Sequence, residues 1–177
     1  MNLHGATQIL IGGKAVKQLS YNSEIVWRLP SGIQIPLVQG EWSFSGMTVA
    51  VDAAGIITLD GTPSVTNAAF IRLTGSYEAA ISSTGMADTD PDHVFVPAGT
   101  NIRFGVERID GSYTQVSNSM NIVLRDAGNV VQYNCKLGDD MWSQEGIATA
   151  NISCLSLYIK RGVAFTSFRV RPYIELL

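Results

Sequence analysis

The sequence predicts an all-β protein, in which a small N-terminal β-hairpin module precedes a β-sandwich of about eight strands. Three observations support this fold class. Helical periodicity is almost absent, and most periodic segments alternate between apolar and polar residues. From Trp42 onward, turn-forming residues recur at intervals of roughly 8 to 12 residues, which is the spacing of an all-β sandwich. Near the N-terminus, two short segments echo each other in the manner of successive hairpins.

The N-terminal echo joins residues 11–19, IGGKAVKQL, to residues 21–29, YNSEIVWRL. The positions that coincide at an offset of ten are Val16 with Val26, Leu19 with Leu29, and Gly12-Gly13 with Asn22-Ser23. Because the paired dipeptides are turn formers, we predict two hairpins with the same strand register. Residues 1–30 therefore form the hairpin module.

The segment after this module predicts a linker. From Leu29 to Gly40 the chain contains two prolines and little charge, a composition typical of a connection. We place the linker at residues 31–40 and the sandwich at residues 41–177.

The sandwich strands are predicted from alternation of apolar residues. In chain order, the predicted strands include residues 47–51, 57–59, 102–106, 120–124, 131–135, 155–159 and 168–176, and a further strand lies at residues 70–73. The turn sequence at residues 126–129 joins two of them, so residues 119–135 form one hairpin. Pro172 cannot donate a ladder hydrogen bond, which predicts an edge position or a bulge in the last strand.

Composition restricts the classes of function. The chain has 177 residues, of which 15% are charged and 46% hydrophobic, which argues for a folded protein. A net charge of −3 provides no basic footprint, so nucleic acid is excluded as the main partner. No apolar run approaches the roughly 18 residues of a membrane helix. Since the N-terminus does not resemble a signal peptide, we expect a protein that stays in the producing cell or leaves by lysis or on a particle.

The longest aperiodic stretch, residues 75–97, holds a cluster of carboxylates at Asp88, Asp90 and Asp92. Alternating carboxylates of this kind open many calcium loops. Gly99 stands where the closing glutamate of a helix-loop-helix site belongs, so that class of site is excluded. A looser calcium site is one hypothesis; a solvated acidic loop without a cofactor is the interpretation we favour.

The two cysteines, Cys135 and Cys154, do not form a disulfide framework. They can pair only if their strands are neighbours. We favour two buried free thiols on core strands.

No catalytic motif is present. His93 has no second histidine nearby, and the sequence contains no HExxH, CxxC, GxSxG or phosphate-binding loop. A nucleophile, a base and an orienting group do not occur together, so we expect no enzymatic activity. A glycosidase needs only two suitably spaced carboxylates and stays as an alternative.

Exposed aromatic rings would point to carbohydrate, because sugar faces stack on them while amides and carboxylates bind the hydroxyls. Trp142 lies in a polar segment with Asp140 and Gln144, which predicts a loop, and Tyr113 follows the turn 110–112. These four residues are the candidate sugar site. For each ring taken alone, a place in the core or as a loop anchor is the alternative that burial energetics favour.

Several stretches of the chain resemble a known family. The quoted stretches are IGGKAVKQLSYNSEIVW, AVDAAGIITLDGTPSVTNAAFIRL, FVPAGTNIRF, NIVLRDAGNVV and LYIKRGVAFTSFRVRPYIEL. The first is similar to hairpin modules at the start of bacteriophage and prophage virion proteins. The other four stretches resemble motifs of phage tail-associated jelly-roll domains. Taken together, the resemblance spans nearly the whole chain.

This resemblance implies a jelly-roll sandwich and a non-enzymatic role on the virion, as a tail, baseplate or short fibre component. It also implies a homotrimer, contacts with other virion proteins and recognition of a host cell-surface glycan. From composition, as above, we expect neither nucleic acid nor a membrane as a partner. The expected anchoring residues are Ile9, Ile11, Val16, Leu19, Val26 and Trp27. The alternatives are a head decoration protein and a free carbohydrate-binding module of a larger secreted system.

Overall fold

A computed structural model of the chain describes residues 9–11, 14–16, 18–21, 24–28, 32–44, 46–64, 68–74, 94–114, 120–137 and 143–177. The chain divides into two compact units, Met1–Gly32 and Ile33–Leu177. The described residues form β-strands, turns and connections and contain no helix. The predicted all-β fold class is confirmed.

The described residues of the first unit form two hairpins. Its strands are β1 (Ile9–Ile11), β2 (Lys14–Val16), β3 (Gln18–Tyr21) and β4 (Glu24–Arg28). β1 pairs with β2 and β3 with β4, each pair antiparallel. The two hairpins thus form where the repeat predicts them. The six predicted anchoring residues lie on these strands, and their role stays a prediction.

The second unit is a sandwich of two antiparallel sheets. Its strands are β5 (Gly40–Phe44), β6 (Met47–Val51), β7 (Ile57–Gly61), β8 (Ala68–Arg72), β9 (Asn101–Tyr113), β10 (Met120–Asp126), β11 (Val131–Leu137), β12 (Ser143–Ile147), β13 (Ile152–Lys160) and β14 (Phe165–Leu176). One sheet has the order β11-β10-β13-β8 and the other β12-β9-β14-β7-β6-β5.

Strands β7 to β14 follow the path of a jelly roll. The chain turns back between β10 and β11, and earlier strands then pair with later ones as β9 with β12, β8 with β13 and β7 with β14. This is a long antiparallel hairpin rolled into two sheets. The eight-stranded jelly roll is therefore present, and the hairpin β5–β6 extends its larger sheet.

The core lies between the inner faces of the two sheets. On β6, buried residues alternate with half-buried ones, as a strand with one covered face requires. The largest fully buried side chains are Phe104, Phe168, Ile57, Leu59, Ile71, Leu73, Ile102, Met120, Ile122, Leu124 and Ile152. Each buried side chain of this size contributes roughly 1.5–3 kcal/mol relative to exposure, so hydrophobic burial holds the two sheets together.

The predicted linker belongs to the sandwich from Ile33 onward. The Ile33 amide donates to the Ile174 carbonyl at 3.0 Å, and the Val38 amide donates to the Leu73 carbonyl at 2.9 Å. Ile35 and Leu37 pack against the core. The boundary between the two units thus lies between residues 32 and 33, because the apolar residues of this stretch are partly covered by the sandwich.

Pro172 lies within β14, between β9 and β7 in strand order. Pairing of β14 with β7 reaches only to Val170, so at Pro172 the strand has β9 as its neighbouring strand on one side. A proline without an amide hydrogen fits such a locally one-sided position.

Both cysteines are buried and free, as expected from the sequence. Cys135 lies on β11 and Cys154 on β13, and β10 separates these strands. Two strand spacings of about 4.8 Å exceed the Cα separation that a disulfide spans. The strand order therefore keeps the two thiols apart.

Candidate functional site

The strongest concentration of polar chemistry in the described residues lies on the outward surface of β12, β9 and β14. On β9, Ile102, Phe104 and Val106 are buried in the core, so the residues between them face outward. We call this surface the Tyr173 face and define it by Ser143, Glu145, Arg103, Gly105, Glu107, Asp110, Arg169, Arg171, Tyr173 and Glu175.

One row of this face is an ion-pair triad across three strands. Arg103 is in register with Glu145 of β12 on one side and with Glu175 of β14 on the other. The Arg103 Nε donates to Glu145 Oε1 at 2.6 Å, and its Nη1 donates to Glu175 Oε2 at 2.9 Å. The hydrogen bonds to Glu145 and then Glu175 raise the pKa of Arg103 above its ordinary value. The guanidinium is thereby held in one orientation.

The next row carries an aromatic ring. Ser143, Gly105 and Tyr173 are in register across β12, β9 and β14. A Cβ at position 105 would overlap the far end of the Tyr173 ring, so the ring lies across β9 in the space that Gly105 leaves. Partial burial, followed by the nearby Glu175 charge, raises the pKa of the Tyr173 hydroxyl. The phenol stays protonated at neutral pH.

Two further ion pairs continue the face along β9 and β14. Arg171 Nη1 lies 3.5 Å from Glu107 Oε2, and Arg169 Nη1 lies 2.9 Å from Asp110 Oδ2. With Arg103 and its partners, the face carries three arginines and four carboxylates. Its charges are closely balanced.

This arrangement has the elements of a binding surface. The flat ring of Tyr173 lies between rows of charged side chains, each of which is 38–58% exposed. Guanidinium N–H groups donate and carboxylate oxygens accept hydrogen bonds, while the ring provides an apolar plane. Sugars are ligands with both kinds of surface.

The predicted sugar site is only partly within the described residues. Gln144 lies on β12, where its Oε1 accepts a hydrogen bond from the Asn134 amide at 2.8 Å. Its predicted loop is thus a strand at this position. Tyr113 packs on the core rings Phe168 and Phe165, with ring centroids 4.9 and 6.2 Å apart. Trp142 and Asp140 lie outside the described residues, and sugar binding by this group stays a prediction.

The acidic cluster of Asp88, Asp90 and Asp92 also lies outside the described residues, as does His93. Within the described ranges, no group of three His, Cys, Asp or Glu side chains is placed to hold a metal ion. In that same part of the chain, no helix has the length and apolar character to span a membrane.

Alternation along residues 102–106 and 168–176 leaves Arg103, Tyr173 and Glu175 on the polar sides of their strands, but it does not join them into one site. Alternation shows which side of a strand a residue occupies, whereas the register between β12, β9 and β14 joins residues 72 positions apart. In the sequence, the signal for this arrangement was Gly105, which lies between the outward-facing Arg103 and Glu107 on β9 and leaves space for an aromatic ring.

The chain matches no protein-family model and no curated protein sequence. It is similar to a chain in the crystal structure of accessory secretory protein 1, 2 and 3 in Streptococcus pneumoniae. The identity is 9%, the match covers 83% of this chain and 96% of that chain, and the TM-score is 0.35. A likeness at this level carries no argument about function.

Proposed function

We propose that this protein is a non-enzymatic virion component of the tail, baseplate or short fibre type. Its N-terminal hairpins attach it to a neighbouring virion protein, and its jelly roll binds a glycan on the host cell surface. The observation that carries the proposed glycan binding is the Tyr173 face, where a half-buried aromatic ring lies between rows of hydrogen-bonding side chains. The division into two compact units supports the separation of attachment from display.

The attachment half is supported by the form of the first unit. Its strands make two separate two-stranded sheets, and an isolated two-stranded hairpin is at best marginally stable in water. Strand addition to a partner's sheet would stabilise such hairpins and supply affinity through main-chain hydrogen bonds. Apolar positions such as Ile9, Val16 and Trp27 would add specificity.

The experiment for attachment removes residues 1–32 and follows incorporation into particles. We expect the shortened chain to fold and to be absent from purified particles, while the full chain is incorporated. Incorporation of both chains to the same extent would contradict attachment by the hairpins.

The proposal that the protein is not an enzyme is supported by the contacts that the carboxylates of the Tyr173 face make with arginine. Glu145 and Glu175 both contact Arg103, and Glu107 contacts Arg171. Carboxylates held by arginine are arranged to orient hydrogen-bond donors and acceptors, whereas hydrolysis of a glycoside requires a carboxyl group that is free to reach the glycosidic oxygen. We expect no release of reducing ends when the protein is incubated with host polysaccharide; sustained release would establish a depolymerase instead.

A further inference from the structure

We propose that the Tyr173 face selects an uncharged polysaccharide, with one sugar ring stacked on Tyr173 and its hydroxyls bound by the flanking ion-pair rows. This inference rests on the proposed glycan recognition and adds the chemical class of the ligand and the residues that hold it.

The Tyr173 ring is held against the sheet. Tyr173 covers Gly105, so one face of the ring lies against the backbone of β9. The other face is directed outward from a sheet whose surrounding side chains are open to solvent. A ring fixed flat on a sheet surface loses little freedom when a sugar stacks on it, which favours binding.

Hydrogen-bonding side chains lie on both sides of the Tyr173 ring. Positions two residues apart along a strand are about 6.8 Å apart. The triad of Arg103, Glu145 and Glu175 therefore lies on one side of Tyr173, and the pair of Arg171 and Glu107 lies on the other. A sugar centred on the ring has donors and acceptors at both ends.

The charges of the Tyr173 face favour an uncharged ligand. Each arginine of the face already contacts a carboxylate, and the four carboxylates outnumber the three arginines. An acidic sugar would have to displace a carboxylate from its arginine and would meet a slight excess of negative charge. A neutral sugar inserts hydroxyls, which both donate and accept, without breaking these pairs.

The experiment is affinity gel electrophoresis of the full chain in gels containing a soluble neutral polysaccharide (a β-glucan or a galactomannan) or an acidic one, polygalacturonate. We expect retardation by a neutral polysaccharide that changes little between low and moderate salt. Tyr173→Ala should weaken it about tenfold, since the ring provides the stacking plane.

Two further variants sharpen the test. Gly105→Ala displaces the Tyr173 ring and should weaken binding to a similar extent, although the tyrosine is retained. Lys136→Ala, an exposed residue on the other sheet, should bind as the unchanged chain does. Thermal unfolding of each variant shows that it is folded.

Three possible results would each contradict a different part of the proposal. Salt-sensitive binding to polygalacturonate alone overturns the ligand class and leaves glycan recognition intact. Neutral binding that survives both Tyr173→Ala and Gly105→Ala overturns the assigned face. Absence of binding to all of these polysaccharides and to intact host cells overturns the proposed glycan recognition itself.

Discussion

At the scale of single residues, the rings near one end of β14 show how aromatic side chains in this sandwich divide between core and surface. Phe168 is fully buried and has Phe165 and Tyr113 beside it. The Arg108 guanidinium lies over the Phe168 ring, 5.6 Å from its centroid. Tyr113 is thus the half-buried edge of a core cluster, whereas Tyr173 lies on the sheet surface.

Removing the centre of this cluster should be severely destabilising. Phe168→Ala is expected to lower the free energy of unfolding by about 3–5 kcal/mol, because it leaves a cavity where a fully buried ring had been. Urea unfolding measures the loss. Ile147→Ala, at a residue 62% exposed, serves as the matched control and should change stability by less than about 0.5 kcal/mol. Equal losses for the two variants would contradict the assigned core.

Thiol ionisation provides a second prediction for single residues. Burial raises the pKa of the Cys135 thiol to about 12, and a hydrogen bond with the Gln144 backbone opposes this only in part. Both thiols are buried, so Ellman's reagent at pH 8 should label neither in the folded protein and both after denaturation. Prompt labelling of the native chain would contradict this placement.

The raised pKa of Cys135 also predicts how the stability of the fold changes with pH. The folded-state pKa of Cys135 lies above its ordinary value of 9.0. The contribution of this thiol to the free energy of unfolding is fully present below pH 9 and is lost as the pH rises towards about 12. Between these two values Cys135 ionises in the unfolded chain but stays protonated in the folded one. The urea midpoint should therefore be lower at pH 11 than at pH 8, and Cys135→Ala should reduce that difference. A pH dependence unchanged by Cys135→Ala would assign the effect to other groups.

At the scale of elements, the sandwich closes along β11 and β12, the edge strands of its two sheets. Among the described residues, no backbone hydrogen-bond ladder joins β11 to β12. Hydrogen bonds made by side chains join them instead. The Gln144 side chain accepts from the Asn134 amide, and Gln132 Oε1 accepts from the Thr149 hydroxyl at 2.7 Å. The first of these bonds occupies the Asn134 amide, a backbone group that an edge strand otherwise offers to other chains.

Gln144→Ala should loosen this edge without unfolding the sandwich. Loss of one neutral hydrogen bond to the backbone costs about 1 kcal/mol, and the Asn134 amide should exchange with solvent several-fold faster. Hydrogen exchange followed by NMR measures both. Ser143→Ala, an exposed neighbour on the same strand, should leave the exchange rate of Asn134 unchanged; an equally fast rate in that variant would show that the Gln144 bond is not the cause.

At the scale of the whole molecule, the proposal of attachment and display makes association of several chains useful. A trimer would present three copies of the Tyr173 face, so weak binding at each could hold a cell through multivalency. Light scattering after gel filtration should give the mass of a trimer for the full chain. A monomer at all concentrations would favour the free carbohydrate-binding module.

The same measurement tests the acidic cluster of Asp88, Asp90 and Asp92. If calcium bound there supports association, a chelator should reduce the mass and added calcium should restore it. A mass that is unchanged by the chelator, together with no calcium uptake in calorimetry, would contradict a calcium site.

Much of the architecture follows from patterns along the chain. The repeat around Val16 and Val26 predicts two hairpins, and the alternation in β6, β9 and β14 predicts strands with one buried face. β12 was not predicted, because its residues alternate between exposed and half-buried and include no fully buried side chain. An edge strand without a buried face leaves no periodic hydrophobic signal.

The sequence by itself therefore determined the fold class, the hairpin module and the inward and outward sides of most strands, since each depends on local periodicity and turn chemistry. Only the tertiary structure decided the strand order, the attachment of residues 33–38 to the sandwich and the assembly of the Tyr173 face. Those features depend on which distant strands pair and in what register. Arg103 and Glu175 illustrate the reason: their contact exists because β9 and β14 are neighbours, and nothing within either strand specifies its partner.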